Sequence, residues 1–371
     1  MKVPLLDLRA QFETIKDDVL PALMEVVEAQ RFIMGDQVRE LEQRVAAVSN
    51  ARFGIACASG TDALLLSLMT LNLQAGDEVV TTPFTFFATA GAIHNAGGTP
   101  VFVDIDPATF NFDLEQVAAA ITPRTRAIVP VHIFGQMADM EGVMALAAQH
   151  DLAVIEDAAQ AIGARRKIDG TWRLAGELGT TGAFSFFPSK NLGGWGDGGM
   201  IVTQDEALAE RLRKLRTHGG AKQYYHDEIG INSRLDTIQA AVLLRKLVRL
   251  EKWSAARRER AGHYTAAFGD VDDVTSPVTD PANEHIYHQY TIRVPRRDEL
   301  KQHLLGRGIG CAVYYPKALH LQPCFAALGY GEGAFPESER ACREVLSLPV
   351  YPELSREQQD VVVETIGEFY R

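Results

Sequence analysis

Residues 183–202 have the sequence AFSFFPSKNLGGWGDGGMIV. An apolar run typical of a buried strand ends at Pro188, Lys190 follows, and five glycines lie within the next nine residues. Glycines allow the backbone to approach a ligand closely and to adopt positive φ angles. A lysine between a strand end and such a loop is a candidate for Schiff-base chemistry, because a desolvated amine loses its proton more readily. Taken alone, the stretch is also compatible with a solvated loop lysine.

Around this stretch, short apolar runs alternate with helical patterns from about residue 50 to residue 205. The pattern predicts strands at 78–83, 101–105, 127–133, 152–156, 182–187 and 198–203. It predicts helices at 61–71, through 92–96, near 113–121 and near 139–149, and an irregular stretch at 165–179. Continuous apolar strands separated by helices indicate an α/β fold with a mostly parallel sheet that is covered on both faces.

The sequence changes character after Asn232. Helical periodicity continues from 233 to 264, which predicts one long helix that leaves the first domain. Beyond it, the sequence predicts a strand at 287–294, a helix at 298–307, a strand at 310–316 and a C-terminal helix. We therefore predict a large domain at 1–247, which includes the N-terminal segment, and a smaller α+β domain at 248–371.

Composition excludes several classes of protein. The 371 residues are 46% hydrophobic and 23% charged, which is ordinary for a globular chain, and the formal net charge is −11. An acidic chain is a poor partner for nucleic acid or an anionic membrane. The sequence has no run of 18 apolar residues and no apolar core of a secretion signal near its start, so we expect a cytoplasmic protein. The four cysteines form no CxxC or zinc-type spacing, and we predict no metal site.

Two further stretches place polar groups where ligands bind in α/β sheets, at strand ends and helix N-termini. Ser59, Gly60 and Thr61 precede an apolar helix, so the amides could hold a phosphate, to which the Ser185 hydroxyl could also donate. An ordinary helix cap is the alternative. Asp157 follows the strand at 152–156, and its carboxylate would suit a protonated ring nitrogen of a ligand. Gln160, three residues further on, could contact the same ligand. The alternative is that Asp157 is an ordinary helix N-cap.

Aromatic side chains follow another strand. Phe84, Phe86 and Phe87 come directly after the strand at 78–83. An aromatic ring at a strand end can stack on a planar ligand, although such side chains are also common in cores.

Together these stretches resemble the DegT/DnrJ/EryC1/StrS aminotransferases. The motifs that carry the resemblance are SGTDAL, PFTFFATA, EDAAQAIGA, FSFFPSK with NLG and GDGG, RTHG and GINSRLD, and the likeness extends from residue 35 to residue 325. The family consists of pyridoxal-phosphate (PLP) enzymes of fold type I, the aspartate aminotransferase class, and its members act mostly on nucleotide-linked keto sugars. The resemblance implies that fold, that cofactor with its pyridoxamine form, and a homodimer with shared active sites.

The resemblance also implies roles for single residues. Lys190 would form the internal aldimine and shuttle the proton, and Asp157 would pair with the pyridinium nitrogen. Phe86 would stack on the ring, and Gln160 would contact the phenolic oxygen. The phosphate would be held by Gly60, Thr61 and Ser185, together with Asn232 from the neighbouring subunit.

Substrate contacts follow from a weaker part of the likeness. The segment VYYPKALHLQP resembles the family's C-terminal motif, so Tyr314, Tyr315 and His320 are candidates to contact the sugar or its diphosphate, and Arg234 to contact the nucleotide. Alternatively, Tyr314 could be a core residue, His320 a surface histidine whose hydrogen bonds are satisfied, and Arg234 a member of a structural ion pair. The stretch HIFGQMAD resembles members that aminate the sugar 3-position, and the role of Trp195 stays open.

The expected reaction is transfer of an amino group, with glutamate as the donor, to a keto sugar linked to dTDP or UDP. A PLP-dependent sugar dehydratase of the same family is disfavoured, because relatives that deoxygenate sugars typically replace the Schiff-base lysine with histidine. A non-catalytic ligand-binding regulator would be expected to lack Lys190, Asp157 or Ser185, and all three are present. A Rossmann dehydrogenase is excluded because no GxGxxG motif follows an early strand.

Overall fold

The computed structural model describes residues 1–222 and 224–371. In chain order, the helices of this part are α1 Leu8–Ala29, α2 Asp36–Val48, α3 Gly60–Met69, α4 Ala88–Asn95, α5 Leu114–Ala120, α6 Met140–His150, α7 Glu206–Leu215, α8 Thr237–Leu247, α9 Leu250–Ala267, α10 Arg297–Gly306, α11 Pro336–Glu344 and α12 Arg356–Tyr370. The strands are β1 Phe53–Cys57, β2 Glu78–Thr81, β3 Thr99–Phe102, β4 Thr125–Ile128, β5 Ala153–Asp157, β6 Arg165–Ile168, β7 Thr171–Leu174, β8 Thr181–Ser185, β9 Gly199–Thr203, β10 Asn283–Glu284, β11 Tyr290–Arg293 and β12 Val345–Leu348.

The central sheet has seven strands in the order β1-β9-β8-β5-β4-β2-β3. Strands β3, β2, β4, β5 and β8 run parallel to one another, whereas β9 runs antiparallel to both β8 and β1. The predicted mostly parallel sheet of fold type I is therefore confirmed. Because the parallel strands end at one edge, the C-terminal ends of β5 and β8 lie there together, next to the start of α3.

Helices cover both faces of this sheet. Val80 and Val154 pack in a buried cluster with α2, α5, α6 and α8. Their chain neighbours Val79 and Ile155 pack in a different buried cluster with α3, α4 and α7. Successive side chains of a strand point to opposite faces, so both faces are apolar and the strands read as continuous hydrophobic runs.

A separate cluster forms in the C-terminal part of the chain. It contains apolar side chains of α9, α10 and α12 packed on the antiparallel pair β11–β12. Val3 belongs to the same cluster and forms a bridge with Ile309, so the first residues pack here rather than on the large sheet. The domain division that we propose, between 247 and 248, falls in the short break between α8 and α9.

Three local predictions were wrong. The long helix is two helices, since the chain turns at Val248 and Arg249, which are residues that do not interrupt a helical pattern. The stretch at 165–179 contains the antiparallel hairpin β6–β7, whose turn is Asp169-Gly170 with φ angles of 47° and 78°. An Asp-Gly pair is a known hairpin signal that charged flanks obscured. The predicted strand at 310–316 forms only a bridge from Ala312 to Ser347.

A buried carboxylate holds the end of β5 in place. Glu156 accepts hydrogen bonds from the amides of Gly176, Leu178 and Gly179 at 2.6–2.9 Å, and it lies 2.8 Å from Nε2 of the buried His132. The His132 Nδ1 in turn accepts from the Ala138 amide at 3.2 Å. Glu156 thus links two loops to β5, which ends at the next residue, Asp157.

Glu156→Ala is expected to reduce the free energy of unfolding by about 3–5 kcal/mol, because it leaves several buried donors without an acceptor. Denaturant unfolding measures this loss. The matched control is Glu210→Ala on an exposed position of α7, where the change is expected to stay within about 0.5 kcal/mol. Equal losses of unfolding free energy in the two variants would contradict the role of Glu156 in holding the end of β5.

In the part of the chain that the structure describes, none of the helices has the length and apolar character needed to cross a membrane.

Candidate active site

A cavity of about 590 Å³ opens at the C-terminal edge of the sheet. It brings together side chains from the ends of β5 and β8, from the start of α3 and from the segment after α10. The predicted residues that line it are Gly60, Thr61, Phe86, Asp157, Gln160, Ser185, Lys190, Tyr314 and Tyr315. Their distance in sequence shows that the fold, and not local spacing, assembles this group.

Asp157 is the last residue of β5 and is only 6% exposed. Its carboxylate accepts a hydrogen bond from Thr89 Oγ1 at 2.7 Å and one from the Ala159 amide at 3.2 Å. Burial raises the pKa of this carboxyl, while these two hydrogen bonds and the charge of Lys190 act in the opposite direction. No helix begins at Asp157, so the N-cap alternative does not apply. A buried carboxylate in this setting is stabilised by a cation in the cavity.

Lys190 lies on the turn that follows β8, where its amide donates to the Phe187 carbonyl at 2.8 Å. Burial lowers the pKa of its amine to about 8, and the charge of Asp157 opposes this shift. Among the described residues, the amine has no hydrogen-bond or ion-pair partner. Gly193 makes the turn possible, since a Cβ there would lie 2.3 Å from the Pro188 carbonyl oxygen. The loop therefore presents this amine to the cavity in a setting that favours its neutral form.

The N-terminus of α3 forms one wall. Ser59 is the N-cap and its hydroxyl accepts from the Asp62 amide at 3.1 Å, so the cap predicted as the alternative is present. The amides of Gly60 and Thr61 have no partner among the described residues, and they remain for an anion. A Cβ at Gly60 would lie 2.6 Å from Cβ of Ser185. Glycine thus brings the Ser185 side chain against the helix terminus.

Gln160 connects the two halves of the cavity. Its Oε1 accepts from the Phe134 amide at 2.8 Å, and its Nε2 donates to the Tyr315 hydroxyl at 3.0 Å. The second Nε2 hydrogen is left for a bound group. Phe86 stands at the mouth with 57% of its surface exposed, which leaves a ring face free, whereas Phe84 is fully buried and is a core residue.

Three predicted residues do not line this cavity. Asn232 is exposed and forms a bridge with Thr217, and Arg234 is half-buried outside the cavity. His320 is buried, with Nε2 3.1 Å from a Glu339 carboxylate oxygen. As a result, none of their contacts with residues 1–222 and 224–371 supports the roles predicted for them.

Several lining residues had not been predicted, among them His288, Gln289, Asp197 and Thr85. His288 and Gln289 precede β11 in the stretch YHQYTIRV, where two polar residues beside an apolar run carry no functional signal. Thr89, which holds Asp157, is on α4 within PFTFFATA, a motif that drew attention only to its phenylalanines.

The arrangement fits pyridoxal phosphate. This cofactor carries a basic ring nitrogen, an aldehyde and a phosphate. Asp157 can pair with the nitrogen, Lys190 can react with the aldehyde, and the free amides of Gly60 and Thr61 can hold the phosphate. Asp157 and Lys190 form no direct ion pair, so the space between them is available to the ring.

Comparison with known proteins agrees with this geometry. The sequence profile of the DegT/DnrJ/EryC1/StrS aminotransferase family matches residues 13–367. The chain is 54% identical to "Pleiotropic regulatory protein" from Geobacillus stearothermophilus, over 100% of this chain and 99% of that one. It is 46% identical to UDP-N-acetyl-3-dehydro-alpha-D-glucosamine 3-aminotransferase from Acidithiobacillus ferrooxidans, over 96% and 95% of the two chains.

Solved structures give the same result. The crystal structure of S. venezuelae DesV in complex with a ketimine intermediate superposes with a TM-score of 0.96 at 41% identity, covering 100% of this chain and 99% of that one. The match extends over both the sheet that carries the cavity and the C-terminal part that closes it. The chain belongs to the DegT/DnrJ/EryC1/StrS aminotransferase family, and it is a PLP-dependent aminotransferase.

Proposed function

We propose that this enzyme transfers an amino group from glutamate to C3 of a keto sugar linked to UDP or dTDP. The observation that carries the proposal is the single cavity in which Lys190, Asp157 and the free amides of α3 meet. The 3-aminotransferase from Acidithiobacillus ferrooxidans, at 46% identity over nearly the whole chain, supports the sugar class and the position. The resemblance of HIFGQMAD to enzymes that aminate C3 points the same way.

The roles of the residues follow from their environments. Bound PLP supplies an electron sink for the carbon that loses or gains a proton. Asp157 favours a protonated ring nitrogen, because its buried carboxylate needs a cation. Lys190, with a pKa lowered to about 8 by burial, can both accept and return a proton near neutral pH. The α3 amides and Ser185 would hold the phosphate and thereby anchor the cofactor during both halves of the reaction.

A second copy of the chain is part of the proposal. Among the described lining residues, Lys190 is the only lysine or arginine, whereas a nucleotide-linked sugar and the cofactor phosphate bring several negative charges. Large apolar side chains are exposed at the mouth and on the segment before Asn232, namely Phe86, Phe87, Phe187, Tyr224, Tyr225 and Ile229. Burial of these side chains would favour association. We propose a homodimer in which Asn232 and Arg234 reach the partner's cavity, with Asn232 at the phosphate.

The proposed reaction is tested with the purified protein reconstituted with PLP. Glutamate is expected to bleach the visible band of the bound cofactor, and a 3-keto sugar nucleotide is expected to restore it and yield the 3-amino sugar. UDP-linked and dTDP-linked sugars are compared, as are 3-keto and 4-keto sugars, by mass spectrometry of the product. Release of a deoxygenated sugar would favour the dehydratase instead. Cofactor binding without amino transfer to any of these sugars would overturn the proposal in favour of a ligand-binding regulator.

Shared sites predict complementation between two inactive variants. Lys190→Ala and Asn232→Ala are co-expressed, so that mixed dimers form. If Asn232 serves the partner's cavity, each mixed dimer has one intact site, and random pairing gives about a quarter of wild-type activity. Each variant expressed alone provides the baseline. Failure of the mixture to exceed that baseline would show that Asn232 does not act across the interface.

A further inference from the structure

His288 is a buried cavity residue to which the preceding mechanism gives no part. It lies just before β11, lines the same cavity as Lys190 and is only 6% exposed. Its backbone is fixed, because Arg257 Nη1 donates to the carbonyls of Tyr287 at 3.1 Å and His288 at 3.3 Å. The backbone that carries the ring is therefore held at the cavity wall.

The hydrogen bonds of Asn191 determine which ring nitrogen carries the proton. Asn191 follows Lys190, and its Nδ2 donates to the Ile286 carbonyl at 3.4 Å. This orients its Oδ1, an acceptor, toward His288 Nδ1 at 3.1 Å, so Nδ1 is the donor. In a neutral imidazole, Nε2 then has a free lone pair. Nε2 has no partner among the described residues, and it is the ring atom left for a group in the cavity.

Burial and the surrounding positive charges favour the neutral form of the ring. Burial, and then the charges of Lys190, Arg257 and His285, hold the pKa of His288 well below its usual range. Asp157, which lines the same cavity, is the carboxylate whose charge opposes the lowering of the Lys190 pKa. A neutral acceptor can stabilise an ammonium group through a hydrogen bond without taking up its proton.

We propose that His288 is a positioning residue for the Lys190 amine, and that its Nε2 accepts a hydrogen bond from Lys190 when the lysine holds a proton. The flexible lysine stem would thereby be restrained on the side of the cavity formed by the segment before β11. The proton enters on the Lys190 nitrogen and leaves from it, and the imidazole stays neutral throughout. The inference rests on the proposed function for its purpose, but the contact itself does not depend on the identity of the sugar.

Two substitutions distinguish the contribution of His288 Nδ1 from that of Nε2. In His288→Asn, the side-chain amide can replace Nδ1 as the donor to Asn191, but nothing replaces Nε2. In His288→Gln, the longer side chain can place its oxygen where Nε2 was, while the donor to Asn191 is lost. If Nε2 supports the Lys190 ammonium, His288→Asn is expected to lower the pKa of Lys190 by about one unit, and His288→Gln to leave it close to the wild-type value of about 8.

The measurement uses the cofactor-free protein. The labelling rate of Lys190 by an amine-acylating reagent is followed against pH by mass spectrometry, and it gives the pKa of the amine without PLP or sugar. In the loaded enzyme, the glutamate half-reaction is expected to slow about 10- to 100-fold in His288→Asn and less in His288→Gln. Because labelling needs no substrate, a wrong sugar assignment would leave the labelling result unchanged.

The outcomes are distinct. A lower labelling pKa in His288→Asn with a nearly normal one in His288→Gln supports the proposal. An unchanged pKa in both variants, or an equal shift in both, overturns it, because the ring would then act through packing or through Asn191. Should His288→Asn fail to fold, His288→Met is compared with His288→Gln, since the two side chains are similar in length and only Gln has the oxygen. An equal Lys190 pKa in that pair likewise overturns the proposal.

Discussion

Lys190→Ala is expected to reduce the glutamate half-reaction by about 10⁴-fold or more, because the variant loses both the nucleophile and the group that moves the proton. Single-turnover absorbance measurements on the PLP-loaded protein follow this rate. Borohydride treatment followed by peptide mapping is expected to place the cofactor on Lys190 in the wild type and on no lysine in the variant. The bound cofactor should remain detectable, since the α3 amides and Asp157 are intact.

Lys246→Met is the matched control for the removal of a buried lysine. The Lys246 amine donates to the Gly193 carbonyl at 2.7 Å, and burial lowers its pKa to about 8, as for Lys190, but it does not line the cavity. We expect this variant to lose stability while keeping the covalent cofactor adduct. A comparable loss of the adduct in both variants would mean that a change in loop conformation, rather than removal of the Lys190 amine, explains the loss in Lys190→Ala.

The sequence predicted the sheet well because its strands are buried on both faces. Runs such as EVVT at β2 and GMIVT at β9 are entirely buried. Because they are bounded and so short, they are read as strands and not as helices. The strand end then indicated Asp157, since a polar side chain directly after a buried strand needs a partner, and the glycine-rich loop after β8 indicated Lys190. The hairpin β6–β7 was missed for the opposite reason, because half of its strand residues are charged and only one of them is buried.

The remaining parts of the cavity depend on contacts between distant segments. Thr89 reaches Asp157, and His288 reaches Asn191 next to Lys190, only through the packing of α4 and β11, which no local pattern encodes. The segment 310–316 reads as a strand, yet Tyr314 and Tyr315 face the cavity instead of a second sheet. Tertiary hydrogen bonds such as Gln160 to Tyr315 fix this conformation. Sequence patterns report burial and periodicity, and they do not report which distant group is nearby.

Asp157→Asn is expected to slow the glutamate half-reaction by about 10²–10³-fold while preserving the fold. Asparagine has nearly the same shape and retains an acceptor for Thr89, but it removes the charge that favours a protonated ring nitrogen. The rate is measured by single turnover, and the absorbance of bound PLP is recorded against pH. We expect cofactor affinity to fall less than the rate, because the phosphate contacts are unchanged.

Thr89→Val tests whether the charge of Asp157 or its orientation is decisive. The substitution removes the hydrogen bond of 2.7 Å to Asp157 Oδ2, but it leaves the carboxylate, which still accepts from the Ala159 amide. Loss of a hydrogen bond that lowers the carboxyl pKa shifts the acidic limb of the pH–rate profile upward, whereas Asp157→Asn should abolish that limb. If Thr89→Val were as slow as Asp157→Asn at every pH, positioning by Thr89 would outweigh the charge, and the role assigned to Asp157 would have to be revised.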